Sequence, residues 1–502
     1  MPSIRAQPAR TTPDSFANAS AYLIGIGGCG MAGLARMLRT RGAAVVGSDA
    51  HPSPTTAALQ RDGIAVAFDQ SAGRIPDDCS LVVASAAIKP DHPELLAAQS
   101  RGLPTLTYAE ALGRCMLGRT AVAVAGTHGK STTTAMLGVA LVDAGLDPTV
   151  IVGATCSQLE LGALAPAANR AGFRLGANPI PSGPLQGRPG ILLAEACEFN
   201  RSFHNYNPTL ASISSVEADH LDIYGSLDAV VEAFHEFALR VAPESDGGRL
   251  LIAHDGAHRR EVTAGARARV ETIGFSPQAD WRIAFDPASR RAALLRDGAP
   301  VVEWSMRIPG VHNAVNAATA AALASMLGAD PASIGRSLSA FAGVDRRTQF
   351  LGERPLRSGG VVRIYDDYGH HPTEVESTLH ALADFERPRD RGARLICVFQ
   401  PHQHSRTRHL LSEFAAAFSD ADIVIVPPIY FVRDSLEEKQ KVTAADLVDR
   451  LRQRGVRAMH LHPFEAIVEQ LENLCRDGDV LVVMGAGPVD EIAHAYLAAA
   501  RR

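Results

Sequence analysis

Residues 121–134, AVAVAGTHGKSTTT, decide how this chain is read. An apolar run ends on Gly126, and Lys130, Ser131 and three threonines follow Gly129 at once. The pattern is a strand delivering its C-terminal end to a loop whose backbone N–H groups face a polyphosphate. In that reading Gly126, Thr127, His128, Gly129, Ser131 and Thr132 surround the polyphosphate of a nucleotide. Lys130 neutralises the β and γ oxygens, and the Ser131 hydroxyl is placed to hold Mg²⁺. Val124 stands where the first glycine of the full G-x-x-x-x-G-K-[ST] pattern would be, so only the shortened form is present. Gly-Lys-Ser also occurs in ordinary turns. The strand before it and the helical spacing of MLGVALVDAG after it favour nucleotide binding.

At 502 residues the chain is too long for one hydrophobic core, which suggests about three domains. Hydrophobic content of 46% against 21% charged residues belongs to a globular protein, and no apolar run is long enough to span a bilayer. A net charge of −5 gives no general attraction to nucleic acid. The 7 cysteines are scattered, odd in number and without a CxxC pair, which fits reduced thiols in the cytoplasm and neither a disulfide framework nor structural zinc. Residues 1–20 lack the apolar centre of a signal peptide and read as a mobile tail. Oligomeric state is not written in the sequence.

Three blocks of alternating strand and helix follow, so the expected fold is α/β with three domains. Residues 21–114 form a Rossmann-like unit, 115–342 a central P-loop ATPase-type unit with a parallel or mixed sheet, and 343–502 a second Rossmann-like unit. Within the central block, residues 154–190 are rich in Gly, Pro and Ala and read as an exposed insertion.

Several strand tips carry polar residues of interest. Gly25, Gly27, Gly28 and Gly30 lie between a strand and a helix, the setting of a pyrophosphate-binding loop, and Asp49 closes the next strand, where an acid commonly meets a ribose. Gly33 serves close helix–sheet packing. Alone, this motif suggests an NAD-linked oxidoreductase; a second phosphate loop in the chain argues otherwise. Glu195 ends the strand GILLAE and Glu198 follows, placed to hold Mg²⁺ directly or through water. His220 sits between Asp219 and Asp222 and is a candidate for a second metal site. Asn313 and Asn316 open an alanine-rich helix, either as capping residues or to read an adenine edge. Asp366, Asp367, Tyr368, His370 and His371 crowd one turn, and residues 401–408, PHQHSRTR, look like an anion receptor.

Taken in order, GIGGCGMAG, SAAIKPDHPEL, GTHGKSTTT, EACEFNRSF, VEADHLDIYG, IPGVHNAVNA, FAGVDRRTQF, DDYGHHPTE, FQPHQHSRTR and VMGAG resemble the Mur ligase family from residue 21 onward. The resemblance implies a cytoplasmic enzyme of peptidoglycan precursor synthesis. It would join L-alanine to the lactyl carboxylate of UDP-N-acetylmuramate, with ATP as co-substrate and Mg²⁺ as cofactor. A relative in the same family attaches a recycled murein peptide instead, and that alternative stays open. The resemblance makes the loop from Gly25 to Gly30, with Asp49 and Ser85, a UDP-sugar site. It places Lys130, Glu195 and His220 at the catalytic centre, with Ser131, Glu195 and His220 on metal. Asn313 would meet adenine, one of Arg346 and Arg347 the nucleotide, and Asp366 or Asp367 the ribose. Tyr368, His370 and Arg406 would shape the amino-acid pocket. Gln403 and His404 stand where relatives usually carry arginine and tyrosine.

Overall fold

A computed structural model describes residues 16–71, 74–164, 171–432 and 434–499, arranged around three sheets. The first sheet holds β1 (Ser20–Ile24), β2 (Ala44–Ser48), β3 (Ala65–Ala67), β4 (Leu81–Ala84) and β5 (Thr105–Thr107) in the order β3-β2-β1-β4-β5, all parallel. The order reverses between β1 and β4, so the glycine loop after β1 and Ser85 after β4 share the crevice where such sheets bind ligands. The fold begins before residue 21: Phe16, assigned above to a mobile tail, is 1% exposed and packs in the core beside β1. Residues 1–15 lie outside the described residues.

The second sheet contains β6 (Thr120–Ala125), β7 (Thr149–Cys156), β8 (Ala171–Arg174), β9 (Ile191–Glu195), β10 (Leu210–Ile213), β11 (Arg249–Ala253), β12 (Arg269–Gly274), β13 (Trp281–Asp286), β14 (Arg291–Arg296) and β15 (Ala299–Ser305). Their order is β15-β14-β13-β12-β11-β10-β6-β9-β7-β8, and only the two margins are antiparallel. The central strands are covered on both faces, which is why ILLAE and LASI read as unbroken apolar runs. Along β13–β15 burial instead alternates, the period of a strand with one wet face. Asp297 and Gly298 turn β14 into β15 with φ of 52° and 80°, the Asp-Gly hairpin signal.

Residues 154–190 are not simply an exposed insertion. β7 runs into the segment as far as Cys156, β8 pairs with it, and Ile180 is buried. Phe173 of β8 lies against Gly33 of the helix Cys29–Thr40, where a Cβ would come within 2.8 Å of the ring. Gly33 therefore serves packing between the first and second sheets, not within the first. Residues 165–170 of this segment lie outside the described residues.

The third sheet runs β16-β17-β21-β18-β19-β20, from β16 (Gln349–Pro355), β17 (Val361–Asp367), β18 (Leu395–Phe399), β19 (Ile423–Val426), β20 (Arg457–His460) and β21 (Val480–Met484). Only β16 is antiparallel. The fold is thus the expected α/β architecture of three units. No helix among the described residues is long and apolar enough to cross a membrane.

Candidate active site

The tips of β6 and β10, the start of the helix Val311–Met326 and the turn after β17 surround one cavity of about 280 Å³. Thr127, His128, Gly129, Lys130, Ser131 and Thr132 line it from the phosphate loop; Arg347, Thr348, Asp367 and Glu374 line it from the third unit. Gly129 adopts φ of 82° and lies so close to Asn316 that a Cβ would come within 2.4 Å of Oδ1. Both facts require glycine before Lys130. The helix Lys130–Asp143 starts there, so its N-terminus and unpaired N–H groups face the cavity.

The ammonium of Lys130 donates to Gly126 O at 2.6 Å, to Thr127 O at 3.0 Å and to Glu198 Oε1 at 3.0 Å. Glu198 is 2% exposed. A phosphate entering the loop therefore competes with Glu198 for the cation. Glu195 accepts from Gly153 N at 2.7 Å. Burial pushes its carboxyl up, opposed by that bond and by the Ser131 hydroxyl.

His220 takes a left-handed backbone with φ of 53°, and its Nδ1 is buried without a hydrogen-bond partner. Glu198, Asp219 and His220 each bring a donor atom within 4.8 Å of the others. Asp219 is already engaged: the Arg406 guanidinium donates to it at 2.9 and 3.2 Å, from the third unit to the second. Burial would raise the Asp219 carboxyl, but Arg406 outweighs it and holds the group far below the usual range. The chemistry fits divalent cations such as Mg²⁺ at two places: the Ser131 hydroxyl beside the Glu195 carboxylate, and the group of Glu198, Asp219 and His220, whose Nδ1 lacks a partner.

Asn313 lines the cavity, but its amide is partly committed. Its Nδ2 donates to Pro309 O at 2.7 Å, and its Oδ1 accepts from Asn316 at 3.2 Å. Of the paired candidates, the structure brings Arg347 and Asp367 to the cavity. Asp367 accepts from Thr348 N at 2.6 Å and Gly369 N at 2.6 Å. Arg346 and Asp366, also read as nucleotide contacts, are not among the cavity's lining. Arg346 donates to Gly485 O at 2.8 Å and Gly487 O at 3.1 Å and lies 3.4 Å from Asp366. That pair stitches the turn after β21 to β17, and burial pushes the Asp366 carboxyl up to about 7.

Tyr368 lies beneath the Arg346 and Arg347 guanidiniums, at 5.2 and 5.0 Å, and His370 stands edge-on to it. Burial pushes His370 down to about 4, so it is neutral at pH 7. Its Nδ1 faces Tyr368 O at 3.1 Å, which makes Nε2 the accepting nitrogen. Gln403 is 2% exposed, with φ of 70° and a buried Nε2 that has no partner.

In the first unit the loop folds on itself. Gly27 N donates to Asp49 Oδ2 at 2.7 Å, and a Cβ on Gly27 would meet that oxygen. One Asp49 oxygen is thus spent on shaping the turn. Gly25, with φ of 76°, abuts Ser85; Gly30 abuts Tyr108; Gly28 is the N-cap of Cys29–Thr40.

Glu374, Thr373 and Thr348 all fall within the sequence motifs, which gave none of them a role. The signal for Glu374 was its register: it is the third helical residue after the cap His371, whose capping box it completes.

Family models match the chain in three consecutive stretches: the Mur ligase family catalytic domain over residues 20–120, the Mur ligase middle domain over 124–324, and the Mur ligase glutamate ligase domain over 346–487. The chain belongs to the Mur ligase family. It is 39% identical over 482 residues to the UDP-N-acetylmuramate–L-alanine ligase of Kineococcus radiotolerans, covering 95% of each chain. With the protein of the same name from Agathobacter rectalis it shares 37% over 481 residues, 95% of this chain and 97% of the relative. Among solved structures, it resembles the UDP-N-acetylmuramate-alanine ligase of Thermotoga maritima (TM-score 0.73, 23% identity, covering 96% of this chain and 99% of that one). It also resembles a murein peptide ligase of Psychrobacter arcticus (TM-score 0.68, 23% identity, the same coverage).

Proposed function

We propose that this protein is an ATP-dependent amide ligase that joins L-alanine to the lactyl carboxylate of UDP-N-acetylmuramate, in the cytoplasm and with Mg²⁺. The observation that carries the reading is a single cavity in which Lys130 and the helix N-terminus behind it face Arg347, Thr348 and Asp367 of another unit. Such a site holds a triphosphate by one end and its nucleoside by the other. The sequence relatives supply the substrates: at 37–39% identity they carry the L-alanine ligase name.

A carboxylate does not accept an amine, because oxide would have to leave. The lactyl carboxylate therefore attacks the γ-phosphorus, ADP departs, and an acyl phosphate forms. The α-amine then attacks the acyl carbon, and phosphate leaves with its electron pair. Lys130 and the N–H groups of residues 126–132 neutralise the phosphates, and Asp367 accepts from the ribose. His370, neutral and edge-on to Tyr368, shapes the pocket for the incoming amino acid. Arg406 and Tyr368 meet the amino-acid carboxylate, which competes with Asp219 for the guanidinium. Held by Ser131 and Glu195, with a second ion at His220, Mg²⁺ would supply charge neutralisation where two anions meet. The protein's share is positioning and electrostatics.

Phosphate release with UDP-N-acetylmuramate and L-alanine, glycine, L-serine or the murein tripeptide in turn tests the proposal. Release that depends on L-alanine above the others is expected. Release only with the tripeptide would assign the recycling reaction instead, and none with any amine would overturn both.

A further inference from the structure

His128 lies in the phosphate loop, and its side chain spans the junction between the second and third units. Its Nε2 is 3.4 Å from Glu217 of the loop after β10, and its Nδ1 is 3.3 Å from Glu374 of the helix Pro372–Glu386. Glu217 is itself held across the junction, accepting from the Thr373 hydroxyl at 2.8 Å. Two carboxylates, one imidazole and the Thr373 hydroxyl, drawn from two units, are thus joined by three contacts.

The backbone beneath this cluster is tied to the same elements. Thr127 N donates to Ser215 O at 2.9 Å, His128 N to Ser215 Oγ at 3.2 Å, and Glu217 N to Thr127 Oγ1 at 2.9 Å. Segment 214–217 therefore grips the phosphate loop with its backbone and the third unit with Glu217. The helix that carries Glu374 begins four residues after Tyr368, beside the proposed amino-acid pocket. Any shift of that helix pulls on His128 directly and on Thr127 through Glu217.

We infer that His128, clamped between Glu217 and Glu374, is a positioning residue that couples the seating of the third unit to the shape of the phosphate loop. Triphosphate binding and the approach of the amino-acid pocket then favour each other, because each orders the same three side chains. The surroundings agree: burial works against a charged imidazole here, yet the two carboxylates outweigh it and raise His128 to about 9. The inference rests on the proposed ATP site but not on which amine is used.

The test uses the full chain, with His128→Asn, Glu374→Gln and the double variant; Glu374→Gln keeps size and one capping oxygen should the first variant fold poorly. Affinity for a non-hydrolysable ATP analogue with Mg²⁺ is read by calorimetry, and the radius of gyration by small-angle scattering. Each single change is expected to weaken the analogue about 10-fold and to enlarge the molecule. The double variant is expected to lose about the same 10-fold, not about 100-fold, because one coupling is removed either way. Multiplicative losses, or unchanged analogue affinity and scattering in both single variants, would overturn the coupling. Should the parent itself fail to bind the analogue, the nucleotide reading falls, and the scattering comparison alone then decides for or against the clamp.

Discussion

In the proposed mechanism the chemistry turns on Lys130, and its partner Glu198 decides how a substitution there is read. Removing the ammonium leaves a carboxylate that is 2% exposed without its 2.9 Å partner. Lys130→Ala should cut ligation by about 100- to 1,000-fold or more, as loss of a phosphate-stabilising charge does. In a Glu198→Gln background, where no buried anion is stranded, the fold should survive the change intact. Near-normal turnover by Lys130→Ala would remove this residue from the mechanism. Glu195→Gln and His220→Ala should each shift the magnesium titration of activity to higher concentrations; unchanged titrations in both would contradict the metal assignment. At this scale the sequence was informative about residue type and poor about pairing. Arg346 and Arg347 are neighbours in the chain, but the left-handed turn at Arg346, with φ of 57°, sends one to the turn after β21 and the other to the cavity. Nothing in the local pattern distinguishes them.

Among the elements, the parallel strands were legible because burial on both faces leaves an unbroken apolar run. The two margins of the second sheet were not. β13–β15 alternate polar and apolar residues over a hairpin whose Asp297-Gly298 turn was overlooked. β8 is four residues long inside a segment whose composition suggests a loop. Its importance comes from Phe173, which fills the space Gly33 leaves open. Gly33→Leu should overpack that junction and cost about 1–3 kcal/mol, measured by urea unfolding. Phe173→Ala in the same chain should recover part of the loss. A Gly33→Leu variant as stable as the parent would mean that the first and second units do not depend on this contact.

Across the whole molecule, the site exists only where units meet: Arg406 reaches Asp219, Arg347 faces the phosphate loop, and His128 joins both sides. Such long-range pairs are invisible in a single sequence, which showed every participating motif but not which would touch. The His128 clamp also carries a sign with pH. Its pKa rises from 6.5 to about 9, so its contribution is complete below about pH 6.5 and lost as pH rises through 9. The groups around it are Glu217, Glu374, His371, Arg347 and His312; burial lowers His312 to about 4 and lowers His371, so neither imidazole titrates in this window. Affinity for the ATP analogue should therefore decline above about pH 8, and that alkaline limb should vanish in His128→Asn. An identical limb in the variant would assign it elsewhere.

In the proposed reaction the lactyl carboxylate becomes a mixed carboxylic–phosphoric anhydride before the amine attacks. The most direct measurement uses UDP-N-acetylmuramate labelled with a heavy oxygen isotope in that carboxylate, with ATP, Mg²⁺ and L-alanine. One labelled oxygen is expected in each phosphate released, and none in ADP. Amide formed with unlabelled phosphate, or formed without ADP, would contradict it.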